Sequence, residues 1–157
     1  MGDMLVKLYD LPADAGQAGE ELRAQGIYIK RAMPSEKRVV LNFIEKEFSP
    51  NWADECEAGF TKGGVWLATY QKQVVGFACY NATRPDYFGP TGVRPDMRKK
   101  GLGRALLLRC MQSLREMGYA YAIIGWAGPA DFYHQAVGAE PIPGEPGQSY
   151  MDLISME

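Results

Sequence analysis

Apolar positions along the chain switch between a period of two and a helical period, and the order of the switches predicts alternating strands and helices. Residues 4–9 alternate as a short strand, whereas residues 14–25 carry only a weak helical pattern, diluted by Gly16 and Gly19. Residues 27–32 read as the next strand. Pro34-Ser35 then opens a helix with Val40, Ile44 and Phe48 on one face. Ser49-Pro50-Asn51 interrupts it, and Trp52, Cys56 and Phe60 recur at helical spacing in a second helix. Two strands, 65–70 and 74–80, flank Gln71-Lys72-Gln73 as a hairpin. The following strand, 87–93, contains Gly89, Pro90 and Gly92. Proline lacks a ladder N–H and glycine weakens pairing, so a bulge or an opening is expected there. A helix over 102–117 places Leu107, Met111 and Leu114 on one face, with Gly118 as its C-terminal cap. The near-continuous apolar strand 119–126 comes next, then a helix opened by Pro129 and closed by Gly138. This order predicts an α/β chain with a mixed sheet.

The richest chemistry lies at residues 93–106, where a strand end and a basic loop run through two glycines into a helix. Gly101 and Gly103 remove side chains where the backbone turns, so successive N–H groups can point at an anion at the positive end of the helix dipole. Arg98, Lys99, Lys100 and Arg104 add positive charge around the same point. A dinucleotide fingerprint would need Gly or Ala at Leu106 and an acidic residue about twenty positions on, where the chain reads Tyr-Ala-Ile-Ile-Gly-Trp. A Walker loop would need Gly-Lys followed by Ser or Thr, a tripeptide the sequence lacks. What remains is R-x-x-G-x-G from Arg98 to Gly103, preceded by Val93-x-Pro95 and followed by Ala105-Leu106-Leu107.

This stretch resembles the acyl-CoA pyrophosphate loop of the GNAT superfamily of N-acetyltransferases. Downstream, Phe132-Tyr133-His134-Gln135-Ala136-Val137-Gly138-Ala139 resembles the second hallmark of that family, one helix and one strand further on. The resemblance implies a mixed, mostly antiparallel sheet with flanking helices and a bulged strand that splays from its neighbour. It implies acetyl-CoA as cosubstrate, held by main-chain groups at Thr91, Gly92 and Val93 and by the loop from Arg98 through Lys99, Lys100, Gly101, Leu102, Gly103, Arg104 and Ala105. It also implies that Tyr133 lies beside the sulfur as general acid. A phenol with a reference pKa of about 10 can protonate a thiolate of pKa about 8.5 without a large mismatch. His134 neighbours Tyr133 on a helix and is assigned to the surface. Many family members carry Asn seven positions before this Tyr. Here Trp126 stands there, and it is assigned to the cofactor or acceptor cleft.

A lysine-like amine must lose a proton before it attacks. The bulged strand carries no carboxylate that could take it. Glu45, Glu47, Asp54, Glu55 and Glu57, in the two helices on the acceptor side of such folds, and Asp86, just before the bulged strand, are the candidate carboxylates. As a group they would attract a cationic amine. The implied reaction is acetyl transfer to a primary amine of a small molecule or peptide. A non-catalytic acyl-CoA-binding domain is the alternative, and a homodimer stays open.

Composition narrows the setting. A net charge of −2 makes the basic loop local, which argues against general nucleic-acid binding. Cys56, Cys79 and Cys110 are odd in number and without C-x-x-C spacing, as expected of reduced core thiols in a cytoplasm. No apolar run approaches the roughly 18 residues of a membrane span, there is no signal-peptide pattern, and no metal site is read from the sequence. Domains of this family begin near Ile27. Residues 1–26 are therefore expected to be a strand and helix extension packed on a domain spanning 27–157.

Overall fold

The computed structural model of the chain describes residues 2–62 and 64–154. Seven strands form one sheet: β1 (Met4–Lys7), β2 (Ile27–Arg31), β3 (Val65–Tyr70), β4 (Gln73–Tyr80), β5 (Tyr87–Val93), β6 (Tyr121–Ile124) and β7 (Glu140–Pro141), in the spatial order β2-β3-β4-β5-β6-β1-β7. All neighbours pair antiparallel except β5 and β6, which are parallel. The mixed, mostly antiparallel sheet is the one expected. Gln71 and Lys72, both with positive φ (51° and 61°), make the β3–β4 connection a two-residue hairpin turn whose twist matches its strands.

Four α-helices cover the sheet: α1 (Lys37–Glu47), α2 (Pro50–Thr61), α3 (Leu102–Glu116) and α4 (Ala130–Val137). One core lies between the sheet and α1 and α2, where Val40, Ile44 and Cys56 meet Leu67, Phe77 and Cys79. The other lies under α3, where Leu106, Leu107, Met111 and Leu114 are sealed against Ala68, Ala78 and Val6. Because β4 is covered on both faces, its apolar run 74–80 is unbroken, with Phe77 and Cys79 facing one core and Ala78 and Tyr80 the other. All three cysteines are buried with free thiols. On α2 the buried line is Ala53, Cys56 and Gly59, so Trp52 turns out of the core into a cleft. Among the described residues no helix is long and apolar enough to cross a membrane.

The N-terminal strand is an interior member of the sheet, between β6 and β7. Val6 and Leu8 are fully buried, each contributing on the order of 1.5–3 kcal/mol by leaving water. In place of a helix over 14–25 there are 3-10 turns at Ala15–Gln17 and Glu20–Gln25. Gly16 and Gly19 already weaken the helical pattern there, and tertiary packing decides the rest. Gly19, at φ 90°, lies flush on Ile29 and Ala105, leaving no room for a Cβ, and the Arg109 Nε donates to the Ala18 carbonyl at 2.8 Å.

Candidate active site

The parallel pairing of β5 with β6 is short. Tyr87 pairs with Ile123 and Phe88 with Ile124, and from Gly89 to Val93 the strand is held by β4 alone. The β4–β5 register also shifts between Ala78 and Tyr80, the bulge the glycines and proline predict. Beyond Phe88 the two strands separate around a cleft of about 480 Å³. The edge of β5 turned away from β4 thus offers main-chain donors and acceptors to that cleft.

One wall of the cleft is the basic loop. Pro95–Met97 makes a 3-10 turn anchored by buried Met97, and Arg98 Nε donates to the Val93 carbonyl at 3.0 Å, tying the loop to the end of β5. Lys99 (φ 64°) and Gly101 (φ 90°) are left-handed, which turns the chain sharply into α3. The first turn of α3 has no side-chain cap and no acidic residue, so its backbone donors remain for a ligand. An added Cβ would meet nothing within 4 Å at Gly101 and only Val93 Cγ2 at 4.0 Å at Gly103. Packing therefore does not demand glycine at these positions. The missing side chains keep open the space in front of the helix end, which suits a diphosphate approaching the backbone closely. Arg98, Lys99 and Arg104 line the cleft, and no carboxylate does, so its electrostatics favour an anion. Lys100 and Ala105 are outside the lining. Lys100 is exposed on the far side of the loop, while Ala105 packs into the core beneath α3.

Tyr133 enters from α4. Its ring lies 6.3 Å from Phe88 and 5.2 Å from Phe132, and it is 7% exposed. Burial raises the phenol above its ordinary value, so the hydroxyl keeps its proton at neutral pH. No described residue shares a hydrogen bond with that hydroxyl, and since no buried side-chain polar atom of the described residues is left unsatisfied, it is open to the cleft that Tyr133 lines. A merely packed tyrosine would ordinarily rest its O–H on a carbonyl. His134 faces outward as expected, its Nδ1 3.1 Å from the Ala139 carbonyl.

A second cavity, of about 720 Å³, meets the first at Trp52 and Phe88, which line both. Asp54 and Glu55 of α2 line it, together with Trp126, Tyr150, Leu153 and Ile154. The expected group of acceptor carboxylates is therefore divided. Glu45 lies in a groove between α1 and α2 that Asp54 also borders, and Glu57, in the same groove, is paired with Lys37 at 3.4 Å. Glu47 and Asp86 line neither cavity; Asp86 sits in the turn before β5, where burial raises its carboxyl pKa. Glu45 and Glu47 belong to α1, whereas Asp54 and Glu55 belong to α2, the helix that borders the second cavity. Trp126 lies with the second cavity and not with the basic loop.

The sequence pattern did not single out Phe48, Trp52 or Phe88 as cleft residues, because each reads as an apolar position of a helix or strand. Phe48 is in fact the ring that occupies the space a side chain at Gly92 would need. Tyr150, Leu153 and Ile154 carried no local signal.

Among curated proteins, none matches this sequence. Solved structures share the fold. One is a GCN5-related glucosamine N-acetyltransferase region of a fungal multi-domain GH3 β-N-acetylglucosaminidase, aligned over 90% of this chain and 19% of that one with 16% identity and a TM-score of 0.69. A GCN5-related N-acetyltransferase from Sphaerobacter thermophilus aligns over 90% of this chain and 48% of its own, with 20% identity and a TM-score of 0.67. One from Kribbella flavida aligns over 89% and 53%, with 21% identity and a TM-score of 0.55. This chain thus spans from about a fifth to about half of those chains, and at these identities the likeness is one of fold. The sequence itself carries the assignment further. A profile of the acetyltransferase (GNAT) family matches residues 34–138, from the turn before α1 to the glycine closing α4, and the chain belongs to that family.

Proposed function

We propose that the chain is an N-acetyltransferase that carries an acetyl group from acetyl-CoA to a primary amine of a small molecule or peptide, with Tyr133 as general acid. The observation that carries this reading is the partnerless hydroxyl of buried Tyr133 in the same cleft as an uncapped, cation-lined helix N-terminus.

Acetyl-CoA supplies an acyl group on a thiolate leaving group of pKa about 8.5. The first-turn N–H groups of α3, with Arg98, Lys99 and Arg104, would hold its diphosphate, and Gly101 and Gly103 permit the close approach. Main-chain N–H groups of β5 at Thr91, Gly92 or Val93 would hold the arm and donate to the acyl oxygen as negative charge develops there. Such a donor is typically worth about 2.7–4 kcal/mol of barrier. Tyr133 then gives its proton to the departing sulfur. Phe48, Trp52, Phe88 and Phe132 exclude water around that transfer, which strengthens both electrostatic contributions.

The acceptor arrives through the second cavity, whose junction at Trp52 and Phe88 is where the two reactants can meet. At pH 7 an amine of pKa about 10.4 needs roughly 4.6 kcal/mol to lose its proton. Asp54 and Glu55 attract the cation to the cavity, and water relays its proton away as it attacks. The test is thiol release from acetyl-CoA across a panel of amines, amino sugars and peptides. Release above hydrolysis with a cationic acceptor is expected. None with any acceptor would overturn the transferase and leave a non-catalytic acyl-CoA-binding domain.

A further inference from the structure

The second cavity has two unlike kinds of lining. Asp54 and Glu55 give it carboxylates from α2, the helix that also supplies Trp52 at the junction with the first cavity. Glu55 is held there by the Thr83 hydroxyl, which donates to its Oε1 at 2.7 Å. Trp126 and Tyr150 add an aromatic lining. The rings of Trp126 and Tyr150 lie 5.3 Å apart and 33° from parallel, and Trp126 is 48% exposed.

That aromatic lining is fixed by several separate fits. Gly125 has no side chain where the Tyr150 hydroxyl lies, and a Cβ at Gly147 would press on the Trp126 ring at 3.3 Å. Asp3 accepts from the Trp126 N–H at 2.9 Å and from the Ser149 hydroxyl at 2.8 Å, one through each carboxylate oxygen. Arg84 donates to the Ser149 carbonyl at 2.6 Å and lies over the rings of Tyr87 and Tyr150, at 5.5 and 5.6 Å. The single cation of the cavity is thereby engaged in holding the wall, while the two carboxylates face the space.

We infer that the acceptor is a primary amine carried on a flat ring, with its ammonium group at Asp54 and Glu55 and its ring laid on Trp126. This rests on the transferase reading above. The same cavity is lined by two carboxylates and by an exposed indole, so it suits a molecule that carries both a cationic group and a flat ring. An aromatic ring and the apolar face of an amino-sugar ring share that shape.

Calorimetric titration with 2-phenylethylamine, glucosamine, n-butylamine and 3-phenylpropionate separates these chemistries. At least one ring amine should bind roughly tenfold tighter than n-butylamine, the size of a good ring stack on top of area burial, and 3-phenylpropionate should not bind. Which ring amine does so identifies the ring. Trp126 has a left-handed backbone (φ 51°), so Trp126→Gly removes the ring without strain. It should erase the tenfold preference while the thermal shift by acetyl-CoA persists, and Trp126→Phe should restore most of it. Equal binding of ring and ringless amines, binding of the anion, or no binding of any amine would overturn the inference. Thiol release read in parallel keeps the two claims apart. A ring amine that binds without thiol release refutes the transferase and leaves the ring site standing. Equal turnover of n-butylamine refutes the ring preference and leaves the transferase standing.

Discussion

The two cavities that meet at Trp52 and Phe88 are built by opposite means. The first cleft, proposed to hold the cofactor, has a backbone frame: a strand edge without a partner, a left-handed turn at Gly101, and the open end of α3, all within one short stretch of chain. The second cavity is largely side chain, gathered from α2, the turn after β4, the end of β6, the C-terminal segment and Asp3. A site made of main-chain groups constrains the sequence locally, through glycines and the charges beside them. A site made of side chains from distant segments leaves no such local mark, and it is free to differ between chains that share the first.

Experiments can break that contrast at several points. The largest effect is expected at Tyr133, the proposed general acid. Tyr133→Phe keeps the ring and its packing on Phe88. Acetyl-CoA affinity should change by less than about tenfold while kcat falls roughly 10² to 10⁴-fold, read by cofactor titration beside a thiol-release assay. An unchanged kcat with chemistry rate-limiting would remove Tyr133 as the acid.

The backbone half is tested at Gly103. At a hundredfold excess over its dissociation constant, acetyl-CoA should stabilise the native chain by about 2.7 kcal/mol, a rise in Tm of about 5–11 °C. Gly103→Val should lose most of that rise with little change in the Tm of the free protein, because its Cβ has ordinary room against Val93. If acetyl-CoA leaves the Tm of the native chain unmoved, the cofactor cleft is misassigned.

The side-chain half should respond more gently. Asp54→Asn and Glu55→Gln should each raise the acceptor KM about three- to tenfold without moving the KM for acetyl-CoA. Glu45→Gln and Glu47→Gln, outside the cavity, should move neither. A matching loss from all four would mean that the whole acidic face, and not the cavity, attracts the amine.

The smallest effect is one of pH. Burial raises the Tyr133 phenol, so its protonated, active form persists to higher pH than an ordinary tyrosine. As pH rises, kcat should climb with deprotonation of the amine and show no alkaline decline below about pH 10. A decline near neutral pH would point to a different acid.

The same contrast explains what could be read before the structure. The helical repeats of α1 and α3, the 71–72 hairpin and the bulge in β5 follow from local periodicity and from proline and glycine chemistry. The anion loop was legible because Gly101 and Gly103 do a backbone job. Trp52 looked like a core position, since Cys56 and Phe60 share its spacing, yet α2 is rolled so that Ala53, Cys56 and Gly59 are inside. The split of the carboxylates depends on that roll. Tyr150 reaches the second cavity only because Gly125 makes room, a match between positions far apart in the sequence. Likewise residues 4–9 declare a strand, but nothing local says that β6 is the partner.

That pairing sets a schedule for the chain as it is made. Met4 pairs with Ile124, and at ordinary synthesis rates the ribosome needs on the order of ten seconds to produce the second after the first. Throughout that interval Met4, Val6 and Leu8 are a nascent apolar strand with no sheet to join, and the surface of α3 that Ala15 and Ala18 will cover is bare once α3 has formed. The strand made before its neighbours β6 and β7 must wait for both. The hazard for this protein therefore lies before folding is complete, when a waiting strand can pair with the same strand of a neighbouring nascent chain.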